Sequence, residues 1–304
     1  MKKPIVICII CAVLLAAAGG VVYWRVSASW GREGKPQPVR SFAALQSRME
    51  AVAAASDSMT LQTLGEVRTG DSAWPIQMVS FTPESPVQWR VLLSAGVHGN
   101  EPAGVECLMQ FAEALSGKAD VYPGIAFDIV PLVNPWGWIH RRRRNADNRD
   151  LNRDFASFHA QESAIMRDLC SRNTYDLMVD LHEDSDVAGF YFYRLAHPDP
   201  TLCRRIIAAV RDADHPIHHG RVSRIFCARD GVITCPLWSL RLARIARQLS
   251  MSNYFRLEGC PQAFLFETPS RLPLDARVDM HRIALDALLE RIVTGPRAEN
   301  SSTT

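Results

Sequence analysis

The sequence predicts an α/β protein, a single-domain α/β/α sandwich around a mixed, largely parallel central sheet. Three observations carry that expectation. Short apolar runs of strand length alternate with helical stretches over most of the chain. Those runs are nearly continuous in apolar residues, as strands covered on both faces are. With 304 residues, 47% hydrophobic and 22% charged, the chain can bury a full core.

In order along the chain, residues 1–28 read as a signal anchor or signal peptide. Pro4 to Trp24 carries no charge over 21 residues, enough for a helix rising about 1.5 Å per residue to cross about 30 Å of hydrocarbon. Small residues at Ala16–Ala18 or Ser27–Ala28 would suit cleavage, so cleaved and anchored forms both stand. A folded domain outside the cytoplasm, periplasmic in a Gram-negative cell, is the expectation. Residues 29–40, "SWGREGKPQPVR", have the Gly, Pro and charge of a linker. The domain then runs from 41 to 294, and the polar tail 295–304 is expected to be disordered.

Within the domain, Ser41 is placed to cap a helix with Phe42, Leu45, Met49 and Val52 on one face. Strands are expected in "WPIQMVSF", "RVLLSAGV", "FDIVPLV", "DLMVDLH", "GFYFYRL" and "AFLFET". Helices are expected near 103–116, 159–172, 199–213 and 275–293. Six cysteines follow the first segment; Cys227 and Cys235 flank an Asp230-Gly231 turn signal and are nominated as a disulfide, with two unlinked thiols as the alternative. The formal charge of +2, from 34 basic and 32 acidic side chains, gives no field to hold a polyanion, so nucleic acid is not an expected partner.

In such a sheet, chemistry gathers beyond the carboxyl ends of the central strands. "RVLLSAGVHGNEP" leaves its strand at His98 and Glu101, with Pro102 suited to a first helical position. "DLMVDLHED" ends on His182 and "AFLFETP" carries Glu267. Two imidazoles and one carboxylate form a His2Glu metal set, and a second carboxylate outside the set suits a general base. Asp180, Glu183 and Asp184 flank His182; one of them could orient an imidazole, with solvation or ion pairing as the alternative. "HPIHHG" (His215, His218, His219) reads as a surface turn ahead of a second metal site.

The segment "NPWGWIHRRRRNADNRDLNRDF", Asn134 to Phe155, adds an RxN and a DLNR. With the HxxE, the strand-ending His and the late Glu in this order, residues 60 to 293 resemble the zinc metallocarboxypeptidases, the carboxypeptidase A superfamily. "HGNEPAG" and "DLNRDF" look most like bacterial members of murein peptide amidase type. "LLSAGVHGNEP" is also similar to the succinylglutamate desuccinylase and aspartoacylase branch. The resemblance implies one Zn2+ per chain on His98, Glu101 and His182, with Glu267 as general base and acid. It further implies that Arg143 stabilises the oxyanion, with a register uncertainty of one or two residues within 141–144, and that Asn152 and Arg153 grip a substrate carboxylate. The implied partner is a peptide or peptide-like substrate, a cell-wall peptide among them. The alternative is an N-acyl amino acid amidohydrolase; a binding protein without turnover is disfavoured because the three ligands and the base are all present. The family's mobile tyrosine has no convincing counterpart among Tyr254, Tyr191 and Tyr193, and Ser252 lies near the expected specificity residues.

Overall fold

The computed structural model describes residues 40–117, 121–196, 199–223 and 225–294. The expected membrane segment at 1–28, the linker up to residue 39 and the tail at 295–304 lie outside the described residues. From Arg40 onward the chain is one compact unit. Among the described residues no helix is long and apolar enough to cross a membrane.

Helix α1 (Phe42–Ala54) leads into strands β1 (Met59–Thr69), β2 (Ser72–Phe81) and β3 (Trp89–Ala95). Then come α2 (Pro102–Ser116), β4 (Ile125–Val130), the short α3 (Pro135–His140), a single 3-10 turn at Leu151–Arg153, and α4 (Gln161–Arg172). Strands β5 (Leu177–Asp184) and β6 (Tyr191–Leu195) precede α5 (Pro200–Asp212). The small β7 (Gly220–Arg221), β8 (Cys227–Ala228) and β9 (Val232–Cys235) are followed by α6 (Leu237–Ile245) and α7 (Met251–Leu257). Strand β10 (Gln262–Pro269) and helix α8 (Leu274–Thr294) complete the unit.

Eight strands form one sheet in the order β1-β2-β4-β3-β5-β10-β6-β9. The centre, β4-β3-β5-β10, is parallel; β1–β2, β2–β4 and β10–β6 are antiparallel, and the edge pair β6–β9 is parallel. Alternation along each strand divides the apolar side chains between two cores. One holds Leu93, Val179 and Phe266 against α1, α2, α5 and α8. The other holds Leu92, Met178, Tyr191 and Ala263 against α4, α6, α7 and the loop through Leu151 and Phe155. This is the expected α/β/α arrangement.

The expected helices and the six runs appear, with shifts that have local causes. Ser41 caps α1 through the Ala44 N–H at 3.1 Å. The run "RVLLSAGV" stops at Ala95 because Gly96 turns the chain at φ +65°, a left-handed conformation that glycine adopts without steric cost. Strand β1 was not anticipated, since its polar sequence MTLQTLGEVRT belongs to a half-exposed edge strand paired only with β2. The nominated Cys227–Cys235 disulfide does not form, and both are free thiols. The turn at Asp230-Gly231 does form, but Arg229 pairs with Val232; that register, continued, sets Cys227 against Thr234 and turns Cys235 to the opposite face.

One close approach fixes α2 on the sheet. A Cβ at Gly104 would lie 2.8 Å from Leu181 Cβ and 2.9 Å from the Leu181 carbonyl oxygen. In an unconstrained helix Gly→Ala gains up to about 1 kcal/mol, whereas overpacking costs about 1–3 kcal/mol. Gly104→Ala is therefore expected to destabilise, read as a lower denaturation midpoint; a gain in stability would show that α2 can move off β5 freely.

Candidate metal centre

Three neighbouring parallel strands, β3, β5 and β10, end side by side and deliver the central groups. His98 lies three residues beyond β3. Glu101 occupies the cap position of α2, with Pro102 opening the helix as expected. His182 lies in β5 directly beside Glu267 of β10 in the parallel register. His98, Glu101 and His182 are each less than 5% exposed, and their donor atoms lie within 4.8 Å of one another.

The two imidazoles face each other through Nδ1, 3.2 Å apart. Glu101 lies against both, Oε1 at 2.8 Å from His98 Nδ1 and Oε2 at 2.9 Å from His182 Nδ1. Each far nitrogen has its own carboxylate. His98 Nε2 is 3.1 Å from Asp150 Oδ1 and His182 Nε2 is 2.9 Å from Asp180 Oδ2. Asp180, fully buried, is itself held by the Ser94 hydroxyl at 2.9 Å. With each Nε2 taken, the paired Nδ1 lone pairs and Glu101 are directed at one point, a donor set suited to a divalent metal ion.

The local charges follow from this packing. Burial alone would push the Glu101 carboxyl up, but His98 and His182 beside it hold it well below the usual range. Burial works the same way on Asp150, and again His98 together with Arg143 outweighs it and lowers the group. Burial opposes charge on His182, yet Asp180 and Glu101 hold its pKa well above the ordinary value. Glu267 goes the other way. Burial, with Glu101 and Asp184 nearby, raises its carboxyl well above normal, outweighing His182 and Arg143. Its buried Oε2 has no hydrogen-bond partner among the described residues.

Residues 88–221 match the succinylglutamate desuccinylase/aspartoacylase catalytic domain family model. A metallo-carboxypeptidase from Burkholderia cenocepacia superposes with a TM-score of 0.61 at 19% identity, covering 84% of this chain and 69% of that one. The chain has the metallocarboxypeptidase fold. Two curated carboxypeptidases align with it in sequence. Carboxypeptidase SOL1 of Arabidopsis thaliana is 32% identical over 102 residues, covering 31% of this chain and 21% of its own. Human carboxypeptidase D is 26% identical over 261 residues, covering 76% of this chain and 18% of its own. The chain thus spans about a fifth of the length of these relatives.

Within this metallocarboxypeptidase fold the remaining predicted residues take distinct positions. Of the arginine run, Arg143 enters the centre, its Nη1 donating to Glu101 Oε1 at 3.1 Å and its Nη2 to Asp150 Oδ2 at 3.4 Å. Arg144 instead holds the loop through the Asn148 carbonyl. Asn152 is buried, its Oδ1 accepting the Met251 N–H at 3.0 Å, while Arg153 is exposed beside it. Asp150 is the residue sequence reasoning missed, although it opens the DLNR that was singled out. Tyr191 is the cross-strand neighbour of Glu267 and donates to Asp184 at 2.8 Å; Tyr254 packs against Phe155 and Phe158. Glu183 receives the Ala103 N–H at 2.5 Å and pairs with Arg277, so it fastens α2 to β5. His215 is half-buried against Asp279 and His219 is exposed beside Asp230, so these two do not share a site.

The Glu267 carboxyl keeps its proton to a higher pH folded than unfolded, where it titrates near about 4.3. Its contribution to stability is therefore full below that pH and is lost as pH rises through the raised folded value. In metal-free protein Glu267→Gln should raise Tm at pH 8 and change it little at pH 4; a lower Tm at pH 8 would contradict the burial of this charge.

Proposed function

We propose that this chain is a zinc-dependent metallocarboxypeptidase that hydrolyses an amide bond next to a free terminal carboxylate. The observation that carries this reading is the convergence of His98 Nδ1, His182 Nδ1 and Glu101 beside the unpartnered carboxylate oxygen of Glu267. Two nitrogens at ~2.0–2.1 Å from one tetrahedral zinc lie ~3.3 Å apart, and the 3.2 Å between the two Nδ1 atoms fits that ion. His98, Glu101 and His182 would hold it. Bound zinc supplies Lewis acidity that brings the pKa of a water toward about 7.

The chain's own groups do the rest. Glu267, with its raised proton affinity, takes the proton of the attacking water and returns it to the leaving amine as the C–N bond breaks, giving a carboxylic acid and a free amine. Arg143, fixed by Asp150 and Glu101, brings a permanent cation to the developing oxyanion. Asp150 and Asp180 hold the imidazole tautomers that leave Nδ1 unprotonated. Arg153, exposed beside buried Asn152, offers a planar fork to a carboxylate. A cell-wall peptide is a substrate within reach if residues 1–28 place the domain outside the cytoplasm. A second reading, an N-acyl amino acid amidohydrolase, is favoured by the family model matched over 88–221; it shares the ligands and differs in the acyl group, so parallel assays on peptides and N-acyl amino acids separate the two.

About one zinc per chain is expected, lost in His98→Ala and His182→Ala. Glu267→Gln should retain the metal and lose turnover. A folded wild-type chain without zinc on elemental analysis removes the mechanism, and a Glu267→Gln protein with near wild-type rate removes the base.

Carboxylate recognition has its own test. Charge-assisted hydrogen bonds are worth about 1.5–3 kcal/mol each, and about 1.4 kcal/mol is tenfold. Amidating the substrate's terminal carboxylate should lower kcat/KM by at least about tenfold, and Arg153→Ala should erase most of that preference with zinc content unchanged. Equal cleavage of acid and amide by the wild type would rule out exopeptidase action.

A further inference from the structure

The geometry points to helix α6 as a membrane-surface contact that seats on an anionic bilayer. Trp238, Leu242 and Ile245 are 67%, 56% and 79% exposed. Spaced by four and three residues, they share one narrow face of the helix. Leu240, 1% exposed, is on the opposite side and holds α6 to the core below. The helix therefore presents apolar side chains both inward and outward, and only the inward ones are used by the fold. Isolated exposed apolar residues are ordinary; three in register on one helix face, one of them a tryptophan, mark a contact surface.

Charge selects the occupant. From Gly231 to Leu257 the sequence has Arg241, Arg244, Arg247 and Arg256 and no acidic residue. Arg241 flanks the apolar stripe by helical position and Arg247 follows the last turn; both are exposed, and neither forms an ion pair among the described residues. Arg244 is tied to Glu258. A second copy of the chain, docked by twofold symmetry, would set these arginines against themselves. Anionic headgroups complement them, while Trp, Leu and Ile enter the boundary above the acyl chains, the arrangement of interfacial helices. Nine residues make a shallow contact that needs a second attachment, and Pro4–Trp24, uncharged throughout, is long enough to be one.

Position gives the contact a use. Directly after α6, the Leu249 carbonyl accepts the Phe155 N–H at 3.3 Å and the Met251 N–H reaches Asn152 at 3.0 Å. Seating α6 would hold the loop of Asn152 and Arg153 close to the bilayer, favouring substrates presented there. That consequence rests on the proposed function; the contact itself does not.

The test uses the full chain mixed with vesicles of phosphatidylcholine, with or without a minor fraction of phosphatidylglycerol to supply anionic headgroups. Subtracting the emission of Trp238→Phe isolates Trp238 from the other tryptophans. The expected result is a blue-shifted Trp238 component in anionic vesicles, quenched by lipids brominated near the headgroup and shielded from aqueous iodide. Arg241→Glu with Arg247→Glu should lower that quenching at least severalfold without changing unfolding or zinc content. A Trp238 component that stays open to iodide and insensitive to brominated lipid overturns the proposal. Shielding from both quenchers, with a doubled mass in solution, overturns it in favour of a second copy. Because the readout is local, attachment through residues 4–24 alone leaves Trp238 open to iodide and also counts against it; loss of peptidase activity with intact quenching would fault the proposed function and not the contact.

Discussion

The Glu101 carboxylate, held between two imidazoles, is the interaction on which the centre depends. It contacts both His98 and His182 at under 3 Å, receives the Glu183 N–H at 3.1 Å and accepts from Arg143. Four segments, from β3, α2, β5 and the 141–144 loop, thereby meet on two oxygen atoms. Such a buried anion is tolerable only because Arg143 and the Glu183 N–H donate to it and, while no metal is bound, the raised proton affinity of His182 keeps a compensating cation beside it. The scaffold supplies the constraint that makes this possible. Glu101 stands at the start of α2, and the close fit of Gly104 on Leu181 fixes how far that helix lies from the strand carrying His182.

The same site separates two carboxylates into opposite electrostatic states. Glu101 is crowded by cations and stays ionised, whereas Glu267, one strand over, is buried with other anions in view and binds its proton tightly. Pairs of acids driven apart by their surroundings mark a division of labour between ligand and proton carrier. No single residue sets this difference. It follows from the parallel register that aligns Glu267 with His182 while leaving one of its oxygens without a donor among the described residues.

Much of this is legible in the sequence. Continuous apolar runs such as "RVLLSAGV" and "AFLFET" announce central strands because both faces must be apolar, and a polar or charged residue at their ends then stands out. Edge elements are silent for the converse reason. Strand β1 is half solvated and gains its place from pairing with β2, which no local pattern encodes. Helices α6 and α7 are short, and α6 carries apolar residues on both sides, so its periodicity is blurred. Asp150 was hidden in a different way: its partner His98 lies 52 residues earlier, a contact that spacing cannot reveal. Tyr191 likewise meets Glu267 only through antiparallel pairing.

The turn at Leu151–Arg153 has a consequence for how such a site can diverge. Asp150 caps this turn through the Asn152 N–H at 3.1 Å and touches His98 through the same oxygen. Residues that would meet the substrate and the residue that orients a metal ligand are thus built on four consecutive positions. Under the proposed function, remodelling the turn to admit a different ligand would shift the anion that aligns His98, so selectivity and metal affinity would not vary independently.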